Sequence, residues 1–175
     1  MSRCNHSILS GEHSNGADPL EMERIDNAWQ LLQKHAVDPR DILGLVSAAV
    51  TDIAGSSAWF DRAFITYSNE AKVEMLGVSP LTLHTHGAVS EQTVHEMLAG
   101  ALAKSVAHVA VAISGIAGPA GGTPEKPVGT VCFGWQRRGA SPECRTLHLP
   151  GDRAAVRSAS TRIALEGVLA LAQRG

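Results

Sequence analysis

Aromatic side chains are scarce: the 175 residues include three Trp, three Phe and one Tyr. That argues against a sandwich of aromatic-rich strands, and the frequent Ala and Gly favour helices packed closely on a sheet. Cysteine is also scarce. Cys4, Cys132 and Cys144 form no Cys-x-x-Cys pair. Such an odd set, without an apolar signal core near Met1, points to reduced, inert thiols in a cytoplasmic protein. No apolar run reaches the length needed to span a bilayer, so no membrane partner is expected. The net charge is only −2 at pH 7. With no basic stripe, nucleic acid is not an expected partner either, and an anion would have to be held by a local site.

The length suits a single core. Residues 1–18 are polar and aperiodic and read as a flexible leader, leaving 19–175 as the domain. Within it, Ile25, Ala28, Trp29 and Leu32 fall at helical spacing over 20–35, and Asp38-Pro39 stops that helix. Asp41 can cap a second helix carrying Ile42, Leu45, Val46, Ala49 and Val50, which Gly55 ends. Ala63 to Tyr67 reads as a short buried strand, and Asn69 to Leu76 as a helix closed by Gly77. Leu83 to Gly87 reads as a connector. His84 and His86 alternate there as on a strand face but have no partner at ligand spacing, so they read as exposed polar residues and no metal is expected.

Ser90 opens the clearest helix, with Val94, Met97, Leu98, Ala101 and Leu102 on one stripe and His95 and Glu96 off it, read as solvated. Val109 to Ser114 is the continuous apolar run of a strand covered on both faces. Thr130–Gln136 and Cys144–Leu149 read as hairpin partners, and Asp152 starts a last helix with Val156, Ala159, Ile163 and Gly167 toward the sheet.

Two segments carry possible chemistry. Between Gly55 and Lys72 the chain gathers the hydroxyls of Ser56 and Ser57, the phenol of Tyr67 and the amine of Lys72. Ser68 or Asn69 would cap the following helix, placing Lys72 near its positive end, where an ammonium is disfavoured. A neutral lysine is a base able to activate a serine, with the tyrosine as relay. The spacing alone equally describes a helix-terminal serine, a core-edge tyrosine and a solvated lysine. The other segment, residues 115–129, mixes Gly115, Gly118, Gly121, Gly122 and Gly129 with three prolines. Its exposed amides could hold an oxyanion or phosphate, or it could be a plain surface connection. It matches neither a Walker loop nor a dinucleotide fingerprint. Arg153 and Arg157, one turn apart at a helix start, suit either a bound anion or a solvated face.

Six blocks in order, Thr51-Asp-Ile-Ala-Gly-Ser-Ser-Ala-Trp-Phe, Thr66-Tyr-Ser-Asn-Glu-Ala-Lys, His86-Gly-Ala-Val-Ser-Glu, Ser114-Gly-Ile-Ala-Gly-Pro, Lys126-Pro-Val-Gly-Thr-Val and Gly151-Asp-Arg, resemble the CinA C-terminal domain family of nicotinamide-nucleotide amidohydrolases. The resemblance implies a three-layer α/β/α fold, with a mixed sheet flanked by helices. It also implies hydrolysis of nicotinamide mononucleotide to nicotinate mononucleotide and ammonia, without metal or cofactor. Carried over residue by residue, Ser57 is the nucleophile, Lys72 the base and Tyr67 its assistant. Gly55, Ser56, Ser114, Gly115, Gly118, Gly121, Gly122 and Arg153 line the substrate pocket. The chain departs from the family at Asp38–Gly44, where an Ala-Glu-Ser-Cys-Thr-Gly-Gly turn and the strand before it are usual and only Gly44 matches. The alternative this leaves is a non-catalytic relative acting as a nucleotide-binding or an interaction or regulatory protein. A sheet short of one member also leads to an expectation of homo-oligomers.

Overall fold

The computed structural model describes residues 44–174. The leader, the helix over 20–35 and the divergent segment up to residue 43 lie outside the described residues. The described elements are helix α1 (Leu45–Thr51), a single 3-10 turn (Ser56–Ala58), helices α2 (Asn69–Leu76), α3 (Pro80–His86) and α4 (Glu91–Ala103), strands β1 (Val109–Gly115), β2 (Thr130–Arg137) and β3 (Glu143–His148), and helix α5 (Arg153–Gln173).

Short polar residues set the helix starts, because a side-chain oxygen can accept from an amide that the first turn leaves unpaired. Ser68 accepts from the Ala71 amide, Ser79 from Leu81, Ser90 from Thr93 and Asp152 from Ala155. The α3 helix corrects the reading of 83–87 as a connector. Ser79 supplies its cap and Pro80 its first residue, a position where the missing proline N–H is no loss. His84 and His86 therefore stand in a helical last turn and do not share a strand face.

The strands run antiparallel in the order β1-β2-β3, with Ala112 opposite Gly134 and Phe133 opposite Arg145. Alternation along the strands divides the core in two. Ala110, Ala112 and Cys132 face the layer of Leu76, Val94, Met97 and Leu98, whereas Val131, Phe133 and Trp135 face Val156 and Ile163 of α5. Helices thus cover both sheet faces, as the three-layer reading has it. The sheet is not mixed among the described residues: all of its pairings there are antiparallel.

The expected strand at Ala63–Tyr67 is a further correction. These residues form no ladder, and only Thr66 is buried, with Ile65 47% and Tyr67 75% exposed. Strand propensity favours an extended backbone, but a strand also requires a partner, and no described strand pairs with this segment. Among the described residues, no helix is long and apolar enough to cross a membrane.

The α5 layer is seated by Trp135, whose indole N–H donates to the Ala164 carbonyl at 2.8 Å. A methyl group at Gly167 would overlap that indole. Gly167→Ala is accordingly expected to destabilise the fold by about 1–3 kcal/mol, the usual penalty of overpacking, which a urea titration against the unsubstituted chain would measure.

Candidate active site

A cleft of about 700 Å³ opens between the extended segment 59–67, the side of β1 and the helices α1 and α5. Its walls are mostly apolar, and its polar groups, which come from separate elements, include Tyr67 and Asp61 from the extended segment, Lys72 from α2, Ser114 from the end of β1 and Arg157 from α5. Such a pocket, largely apolar with a few convergent polar groups, is the usual form of a small-molecule site.

Lys72 is buried, with 6% of its surface exposed. Its Nζ donates to the Thr66 carbonyl at 2.8 Å and to the Tyr67 carbonyl at 3.4 Å. Burial pushes the amine below the ordinary lysine range. Neutral carbonyls are its acceptors, and among the described residues no carboxylate forms an ion pair with it. The alternative of a solvated lysine is therefore excluded. So is a core-edge Tyr67, since that side chain is largely in solvent. The Ser68 cap produces this arrangement: it starts α2 so that Lys72 folds back beneath the strand-like residues just before it.

Ser57 lies in the 3-10 turn and is exposed, whereas Ser56 beside it is buried. Gly55 opens the turn at φ 87°, a left-handed value that glycine adopts without strain. Ser57 does not line the cleft; it stands two residues before Trp59, which does. The Lys72 amine bonds to the two carbonyls and not to Ser57. Trp59 was not singled out from sequence. Its indole N–H is buried without a hydrogen-bond partner among the described residues, and Phe60 next to it also lines the cleft.

The glycine loop contributes unevenly. Gly115 and Ala117 line the cleft; Gly118, Gly121 and Gly122 do not. A side chain at Gly118 or Gly122 would meet Val128 at 2.5 or 2.7 Å, so these two glycines let the loop fold back on itself. Arg153 donates to the Gly118 carbonyl at 2.8 Å and so ties the loop to the start of α5. Arg157, one turn on, faces the cleft, and burial together with the adjacent Arg153 charge holds its guanidinium below the usual range. Two cationic groups this close favour an anion near them.

Glu96 departs from the solvated reading. It is half-buried and accepts from the Ser79 amide and the Thr82 hydroxyl, both at 2.6 Å, fastening α3 to α4. Nothing in its local pattern distinguishes it from an exposed helix glutamate. Lys126, which opens one of the six sequence blocks, bridges the glycine loop to the turn before α4.

The family model for the CinA C-terminal domain matches residues 43–172, which include all six sequence blocks. The chain is 56% identical over 126 residues to the nicotinamide-nucleotide amidohydrolase PncC of Enterobacter agglomerans, a match covering 72% of this chain and 77% of that protein. It is 55% identical over 123 residues to the protein of the same name from Escherichia coli K12, covering 70% and 74%. Among solved structures it resembles the competence/damage inducible protein CihA of Agrobacterium tumefaciens. The TM-score is 0.75 at 39% identity, over 92% of this chain and 100% of that one.

Proposed function

The chain belongs to the CinA C-terminal domain family, and from that membership we propose that it hydrolyses the carboxamide of nicotinamide mononucleotide to nicotinate mononucleotide and ammonia. The observation that carries the reading is a buried amine, Lys72, with no anionic partner among the described residues, on the wall of a cleft in a chain that is more than half identical, over the matched residues, to nicotinamide-nucleotide amidohydrolases.

In this reading Ser57 Oγ attacks the carboxamide carbon while its proton passes to the neutral Lys72 amine, directly or through the Tyr67 phenol. The amides of Gly55 and Ser57 are the nearest donors in sequence for the oxyanion. Lys72 then returns the proton to the departing nitrogen, which leaves as ammonia and an acyl-Ser57 ester. Water attacks the ester, giving a proton to Lys72, and Ser57 recovers it as nicotinate mononucleotide leaves. Trp59 and Phe60 offer aromatic faces to the pyridinium ring, whose positive charge suits them. Arg157, with Ser114 and Gly115 on the cleft wall, offers charge and donors to the phosphate end, and Arg153 adds its charge from one turn away. No step calls for a metal or cofactor. A cytoplasmic site of action belongs to the same reading, as does self-association, since among the described residues β1 pairs only with β2.

The test is ammonia release from nicotinamide mononucleotide by the full chain. An absence of turnover, in the presence of nucleotide binding, would favour the non-catalytic alternative. The burial of Lys72 also sets the pH dependence. The active form is the neutral amine, so kcat/KM is expected to rise with pH and level off below the ordinary lysine value of about 10.4. A rate that instead tracks a free lysine, still climbing beyond that value, would exclude Lys72 as a desolvated base.

A further inference from the structure

We propose that Lys126 is a positioning residue for the substrate, fixing the turn between α3 and α4 that forms one wall of the cleft; the inference rests on the amidohydrolase reading above. Four consecutive carbonyls of this turn are each taken by side-chain donors. Lys126 Nζ donates to His86 O at 2.6 Å and to Val89 O at 2.7 Å. Gly87 O accepts from Ser90 Oγ at 3.0 Å and Thr93 Oγ1 at 2.8 Å, and Ala88 O accepts from Ser114 Oγ at 2.7 Å. Ser90 and Thr93 belong to the start of α4 and would hold their carbonyl in any packing of that helix. Lys126 comes from the far end of the glycine loop and brings a charge. Its backbone is itself anchored, since its amide donates to Thr123 Oγ1 and its carbonyl accepts from the Thr123 amide.

The consequence for the cleft follows from peptide geometry. In a planar trans peptide the N–H points opposite to the preceding C=O. With the Gly87 and Ala88 carbonyls turned toward their donors, the Ala88 and Val89 amides are turned away from them. Neither amide has a hydrogen-bond partner among the described residues, and both residues line the cleft, as do Ser114 and Gly115. The wall thus carries two amides without a hydrogen-bond partner among the described residues, in peptides held directly by Ser90, Thr93 and Ser114 and flanked on both sides by carbonyls that the one Lys126 ammonium clamps. An acceptor group of the nucleotide, such as a ribose or phosphate oxygen, is the chemistry they fit. Lys126 takes no part in moving the proton, so its loss should weaken substrate binding more than it slows bond cleavage.

The experiment compares the full-length wild type with Lys126→Met and Lys126→Arg, following ammonia release from nicotinamide mononucleotide, calorimetric binding of nicotinate mononucleotide and thermal unfolding. Lys126→Met is expected to raise KM and the product dissociation constant about tenfold with kcat within about twofold, and Lys126→Arg to restore much of the loss. Unchanged KM and binding in a folded Lys126→Met, or a collapse of kcat alone, would overturn the assignment. If the methionine variant does not accumulate, Lys126→Gln gives the same readout. Failure of the amidohydrolase reading would appear separately, as a wild type that releases no ammonia. The binding comparison then still decides the role of Lys126: equal affinities, or no binding by the wild type, overturn it.

Discussion

Ser57→Ala is expected to lower kcat for ammonia release from nicotinamide mononucleotide by about a thousandfold or more, because in the proposed mechanism the acyl intermediate forms on that hydroxyl. Its effect on stability should be small. Ser57 is exposed and its hydroxyl forms no hydrogen bond among the described residues, so the substitution belongs with surface changes that stay within about 0.5 kcal/mol. This separation makes the test decisive, since a lost activity cannot be ascribed to a lost fold. Rates that match the wild type would remove Ser57 as nucleophile. The proposed mechanism has the Lys72 amine exchange a carbonyl partner for the serine or phenol proton when substrate enters, because its present bonds go to Thr66 and Tyr67. Catalytic hydrogen bonds commonly tighten only in the substrate complex.

Lys72→Met should be comparably damaging to the rate, by about a hundred- to ten-thousandfold, the range associated with a general acid–base group. Its effect on stability has a different signature. The folded protein holds the Lys72 pKa below that of the unfolded chain, so between the two values the unfolded state binds more protons. Wild-type stability must then rise with pH through that window, reaching its full value above about 10.4 and losing the contribution as pH falls through the depressed folded value. Methionine fills a similar volume and cannot titrate, so the variant lacks this slope, although the Thr66 carbonyl loses its donor. Urea midpoints measured across the alkaline range would show the slope in one protein and not in the other. Parallel curves for the two would mean that Lys72 titrates as a solvated amine.

Several elements could be read before any coordinates, because their causes are local. Ser68, Ser90 and Asp152 cap the helices they precede, and each is visible as a short polar residue ahead of a periodic segment. The hairpin of β2 and β3 is marked by two strand-like runs around Gly139. The α3 helix was equally local, and its Ser79-Pro80 start was present but outweighed by the alternation of His84 and His86. Chemical candidates were legible where one short stretch carried them, as with Ser57, Tyr67 and Lys72.

By itself the amino-acid order determined the family, the caps of α2, α4 and α5, the hairpin of β2 and β3 and the candidates for the reactive groups, since all of these depend on neighbours along the chain or on short recurring patterns. Only the tertiary structure decided that Ala63–Tyr67 is extended without being a strand, that Lys72 is buried while Tyr67 is in solvent, and that Glu96 and Lys126 fasten separate segments together. Burial and hydrogen bonding across thirty or forty positions depend on which surfaces meet after the layers have packed, and that information is not carried by any residue's own neighbourhood.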